Sequence, residues 1–161
     1  MEEKREKAKQ LFLNIEPLFN SKEIAGDADV ANRKAAPMTL LEQYIAGWRT
    51  HDTNAILATL TSDCVITESF GPVYHGQALV KRWIAAWLAE NGRVIDWTIH
   101  DLQSLGDLET AEWTFHYTWR GEEKRFDGAT IAKLHEGKIS YLREYATTAP
   151  LYDWQGEWRP L

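Results

Sequence analysis

A chain of 161 residues fits one domain with a real core and falls short of what two domains usually need. With 26% charged residues and a formal net charge of -6, neither disorder nor a broad basic surface is indicated, and no nucleic-acid partner is expected. The single cysteine, Cys64, excludes an internal disulfide framework, and no apolar run approaches membrane-spanning length, so no membrane partner is expected.

The start, Met-Glu-Glu-Lys-Arg, is mixed in charge and leads into no apolar signal core, which predicts a cytoplasmic chain without a signal peptide. Residues 1–37 read as an N-terminal amphipathic helix and linker. Ala8, Leu11, Phe12, Ile15 and Phe19 recur at helical spacing there, interrupted by Pro17, before a stretch rich in Ala, Asp, Asn and Lys. The main domain is expected over 38–154, with 155–161 as an aromatic tail.

Thr39 followed by Glu42 is a capping-box pattern, after which Leu40, Leu41, Tyr44, Ile45 and Trp48 share one helical face. A second helix is predicted over 52–60, with Asp52 as its N-cap and Ile56, Leu57 and Leu60 facing inward. Residues 64–70 read as a strand turned at Gly71-Pro72. A third helix follows Gly76, carries Leu79, Val80, Trp83, Ile84, Trp87 and Leu88, and stops at Asn91-Gly92. Strands are then predicted near 95–103, 111–120, 126–134 and 139–146, separated by Gly106-Asp107, Gly121-Glu122 and Glu136-Gly137.

Within 111–120, Trp113, Phe115, Tyr117 and Trp119 alternate with Glu112, Thr114, His116 and Thr118, so one face is aromatic and the other polar. Three helices followed by a long antiparallel sheet bury such a face only if the sheet wraps around them. This predicts an α+β architecture with a hollow between sheet and helices. Eight tryptophans in so small a domain suit the wall of an apolar cavity as well as a core. Trp48, Phe70, Tyr74, Trp83, Trp87, Trp113, Phe115 and Tyr117 are the residues proposed for that wall or for the core behind it.

Two side chains stand out as chemistry. Glu68 shares strand parity with Cys64, Ile66 and Phe70, which turns it toward the apolar side, where desolvation raises a carboxylate toward the range useful for a base. The alternative is a solvated or salt-bridged carboxylate at a strand end. Tyr44, on the buried stripe of the first helix, offers a phenol to a ligand or to a backbone carbonyl. Glu144 shares parity with Leu142 and Ala146 and is a second inward carboxylate, unless it pairs with an arginine at the rim. The histidines at 51, 75, 100, 116 and 135 show no ligand spacing, so no metal is expected. Neither a phosphate loop nor a nucleophile elbow is present, so no cofactor is expected.

The element order and three short motifs resemble the nuclear transport factor 2-like superfamily, in particular the SnoaL-like polyketide cyclases and the ketosteroid isomerases. The motifs are Leu41-Glu42-Gln43-Tyr44, Phe70-Gly71-Pro72-Val73-Tyr74-His75-Gly76 and Glu136-Gly137-Lys138-Ile139. The resemblance implies a cone-shaped barrel made by a strongly curved, mainly antiparallel sheet wrapped around three helices. It also implies an apolar cavity lined from the last strand by Glu144, and a homodimer through the face bearing Glu112, Thr114, His116 and Thr118. In the isomerases a tyrosine donates to the substrate oxygen and an aspartate is the general base. Tyr44 and Glu68 match those positions, 24 residues apart. A protonated aspartate completes that oxyanion hole, and here its position falls on or near Thr130. Asp127 is offset by an odd number of residues and would face the other way. This departure weakens the case for steroid isomerisation itself.

The expected function is cofactor-independent proton transfer on a small apolar carbonyl compound, with Glu68 as base and Tyr44 as donor to the enolate oxygen. Isomerisation, cyclisation and dehydration share that first step. The rival is a ligand-binding or dimerisation domain of the same fold without chemistry.

Overall fold

A computed structural model describes residues 37–158. The predicted N-terminal helix, its linker up to residue 36 and the last three residues of the tail lie outside the described residues. Helices α1 (Leu40–Arg49), α2 (Thr53–Ala58) and α3 (Gln77–Ala89) combine with six strands in one α+β domain. The strands are β1 (Leu60–Thr67), β2 (Val73–His75), β3 (Arg93–Leu105), β4 (Leu108–Trp119), β5 (Glu122–His135) and β6 (Lys138–Ala146).

The sheet order is β2-β1-β6-β5-β4-β3, antiparallel throughout except where β1 runs parallel to β6. Register shifts between Val94 and Asp96 and between Ile99 and Asp101 add twist to the β3–β4 pair. The curled sheet packs on α1 through β3, β4 and β6, and on α3 through β1 and β2. It is an open, cone-shaped barrel with β2 and β3 as its edges.

Local chemistry accounts for these elements. The capping box closes at the start of α1, where Thr39 accepts from the Glu42 amide and Glu42 from the Thr39 amide. A second acceptor comes from the sheet: Glu109 of β4, itself buried, accepts from the Leu41 amide at 2.8 Å. Asp52 caps α2 through the Ala55 amide. Leu41, Tyr44, Ile45 and Trp48 of α1 enter the core with Ile56, Val80 and Ile84, against Ile66, Trp97, Trp113 and Leu142 of the sheet.

Three boundaries differ from expectation. The strand expected over 64–70 ends at Thr67, which leaves Glu68 just past it and Phe70 in the turn. Leu60, predicted inside the second helix, opens β1 instead, because the Thr59 carbonyl is taken by the Ile139 amide of β6 at 2.8 Å. Residues 73–75, read as part of the connection to the third helix, form β2. The turn responsible is closed by the Glu68 amide on the Pro72 carbonyl at 3.0 Å, with Gly71 at φ 108°, and it sets Val73 opposite Thr67. Asp127 faces outward as its parity predicts, accepting from Thr114 at 2.6 Å, while Thr114 also meets the His100 ring at 2.7 Å.

Trp113 is the largest fully buried side chain, and its cross-strand neighbour is Gly128. A Cβ at residue 128 would stand 2.3 Å from the Trp113 ring and 2.4 Å from the Tyr145 carbonyl oxygen. Gly128→Ala is therefore expected to destabilise the domain by about 1–3 kcal/mol, read as a lower urea midpoint with an unchanged slope.

Candidate active site

The hollow between the sheet and the helices is a cavity of about 420 Å³. Trp48 of α1 and Trp83, Ala86 and Trp87 of α3 form one side. Trp97 of β3 and Trp113, Phe115, Tyr117 and Trp119 of β4 form the other, with Phe126 of β5. Glu68, Ser69, Phe70, Pro72 and Tyr74 close the end above β1 and β2, and Glu144 reaches in from β6.

The rings touch one another around this wall. Tyr74 stacks on Trp83 with centroids 4.4 Å apart, and Trp83 lies 4.9 Å from Trp48. Trp97 lies 4.7 Å from Phe115, which stacks on Tyr117 at 4.8 Å. Phe70, on the turn after β1, meets Phe126 at 5.7 Å but remains 70% exposed. At the rim Arg120 holds Glu90 in a two-pronged pair at 2.7 and 2.9 Å and lies over the Trp119 ring.

Two carboxylates enter this apolar space. Cys64 and Ile66 are fully buried on the inward face of β1, and Glu68, one residue past the end of that strand, lines the cavity. Its Oε1 accepts the Tyr74 hydroxyl at 2.9 Å. Desolvation raises the Glu68 pKa, and the Tyr74 hydrogen bond partly offsets this by favouring the ionised form. Glu144 lies on the inward face of β6 with Leu142, which is fully buried, whereas Arg143 is exposed. Burial first, and the charge of Glu68 second, push the Glu144 carboxyl up to about 8. Near neutral pH the Glu144 carboxyl therefore keeps its proton.

Ten of the twelve side chains singled out from sequence line the cavity, and two do not. The Tyr44 ring is 1% exposed, flanked edge-on by Trp48 and Trp97, and these indoles stand where the phenol was expected. Among the described residues its hydroxyl meets no hydrogen-bond partner of good geometry, and burial, followed by the charge of Glu144, raises its pKa well above the ordinary phenol value. Thr130 is covered by Trp113, whose indole N–H donates to the Thr130 hydroxyl at 2.8 Å, so the ring and not the hydroxyl faces the cavity.

Sequence reading also passed over lining residues. Trp97 was hidden by the irregularity after Val94: Val94 and Trp97 are both buried although three residues apart, while Ile95 is half exposed. Phe126 looked like a strand end. Glu90 and Arg120 sit beyond α3 and β4, where no periodic signal places them.

A family model described as SnoaL-like domain matches residues 41–142. No curated protein sequence matches the chain. Among solved structures, a protein of ketosteroid isomerase-like fold from Catenulispora acidiphila, in complex with trimethylamine, is 20% identical with a TM-score of 0.60, covering 69% of this chain and 88% of its own. An epoxide hydrolase of the LEH-like kind from M. tuberculosis is 16% identical with a TM-score of 0.61, covering 67% and 80%. A candidate polyketide cyclase from Xanthomonas campestris is 19% identical with a TM-score of 0.56, covering 66% and 86%. At such identities the likeness is one of fold.

The raised proton affinity of Glu144 has a consequence for stability. Its proton is held more tightly in the folded chain than in the unfolded one, so its stabilising contribution is complete below the ordinary glutamate range. That contribution is lost as pH rises through about 8. Urea midpoints at pH 5, 7 and 9 should fall in the native chain and fall less steeply in Glu144→Gln, which carries no charge at any of them.

Proposed function

The chain belongs to the SnoaL-like domain family, and from that premise we propose that it catalyses cofactor-independent proton transfer on a small, largely apolar carbonyl compound held in the aromatic cavity. Glu68, as carboxylate, removes a proton from the carbon next to the carbonyl. Glu144, still protonated near neutral pH, donates a hydrogen bond to the oxygen on which the enolate charge develops. Returning the proton to a different carbon gives isomerisation. Attack of the enolate on a second carbonyl gives cyclisation, and loss of a β-hydroxyl gives dehydration.

One observation carries this reading: two carboxylates line a single apolar cavity, one holding a hydrogen bond from Tyr74 and the other pushed up to about 8 by burial. Carboxyls in such different surroundings can serve one as base and one as acid. Tyr74 serves as the positioning residue for Glu68 through its 2.9 Å hydrogen bond. Glu144 takes the donor role in place of Tyr44, because the Tyr44 hydroxyl is enclosed beside Trp48 and off the cavity lining. The aromatic wall keeps water from competing for the enolate oxygen. On the resemblance alone we also propose a homodimer through the outward face of β4, which the oligomeric state in solution checks.

Exchange of α-protons for deuterium tests the reaction. Small cyclic and acyclic ketones incubated with the protein in heavy water should lose their α-proton NMR signals. Glu68→Gln should slow this by roughly a hundredfold to ten-thousandfold. The rate should rise as Glu68 ionises and fall through about pH 8 as Glu144 loses its proton. Saturable ketone binding with no exchange, or exchange untouched by Glu68→Gln, would leave a ligand-binding domain without this chemistry.

A further inference from the structure

Four charged side chains line the cavity: Glu68, Glu90, Arg120 and Glu144. Arg120 is committed to Glu90 by its two-pronged pair, so these two neutralise each other at the rim. Glu68 and Glu144 are left without a cation: among the described residues no ion pair reaches either of them, and Glu68 has only the neutral Tyr74 hydroxyl. Both carboxylates enter a space walled by aromatic rings, including Trp48, Trp83, Trp97 and Phe115. An aromatic face carries the negative side of the ring quadrupole, so wall and carboxylates attract the same sign of charge.

We propose that the small molecule this cavity takes carries a cationic, alkylated ammonium group whose methyl and methylene groups pack on the rings and whose charge is set against Glu68. Glu68 has only the neutral Tyr74 hydroxyl beside it, so a cationic group on the ligand supplies the counter-charge that this desolvated carboxylate lacks. An anion would meet carboxylates and ring faces at once. A bare metal ion needs several converging donors, and among the described residues no group of three His, Cys, Asp or Glu side chains is placed to hold one. The upward shift of both carboxyls is what such a site shows before its counter-charge arrives. This inference concerns what the cavity holds and does not depend on whether a proton is moved.

Choline and 3,3-dimethyl-1-butanol have the same heavy-atom skeleton and differ only in a charged nitrogen for a neutral carbon. Each is titrated into the full chain at neutral pH while tryptophan fluorescence is followed. Choline is expected to bind at least about tenfold more tightly than the butanol, since a desolvated cation over rings with a carboxylate nearby gains that much or more. The Glu68→Gln, Glu144→Gln double variant should lose this preference while still binding the butanol. Equal or weaker binding of choline, or no saturable choline binding by the unaltered chain, overturns the inference. The ratio is measured first on the unaltered chain, so it stands even if the double variant fails to fold. Absence of deuterium exchange from ketones would leave it untouched.

Discussion

Covering the aromatic face of β4 is the constraint on which the rest of this domain depends. Each such ring removes roughly 150–250 Å² from water when buried, so four of them on one strand face supply much of the drive to fold. Three helices, of which α2 has only six residues, cannot cover that face if the sheet is flat. Curvature brings β6 and β1 round to the far side of the helices and leaves the remaining ring surface facing a hollow. The cover thins along β4: Trp113 is 1% exposed and seated against Gly128, whereas Trp119 at the other end is only partly covered. The rim of the cavity, with Arg120 and Glu90, lies at that thinner end.

The same hollow sets the electrostatics. A carboxylate placed among rings loses its water and gains no compensating cation from the described chain, so its neutral form is favoured. Two carboxylates in one such space resist ionising together, and the second proton is held longer than the first. Tyr74 breaks the symmetry of the pair: its hydroxyl stabilises the ionised form of Glu68, while among the described residues Glu144 has no such donor and keeps its proton near neutral pH. This arrangement costs stability above neutral pH, and such a cost is characteristic of a site kept for chemistry or binding more than for folding.

Membership of the SnoaL-like family and likeness to structures at 16–20% identity establish the architecture. They carry no substrate with them, because this fold accommodates different chemistries through the side chains lining one cavity. The functional argument therefore rests on this chain's own Glu68, Glu144 and Tyr74 and on the rings around them. The departure at Thr130 is part of that argument. Where the isomerases place a third acid, this chain places a hydroxyl that serves the Trp113 indole.

What the sequence by itself determined was everything written in short-range periodicity. Thr39, Glu42 and Asp52 announced the helix starts, the alternation from Trp113 to Trp119 announced the aromatic face, and parity turned Glu144 inward and Asp127 outward. These signals are local because a cap, a helical stripe and a pleat each depend on residues a few positions apart. Only the tertiary structure decided which inward residue reaches the cavity and which stops in the core. Tyr44 is enclosed by Trp48 and Trp97, and Thr130 by Trp113, because rings from separate elements arrive in front of them. The irregularity after Val94 likewise brings Trp97 to the wall by a step that a strict period of two does not contain. The meeting of Glu68 with Tyr74 and Glu144 depends on the hairpin turn at Gly71-Pro72 and on the parallel pairing of β1 with β6. Contacts made by the whole sheet leave no mark in the spacing of any one segment.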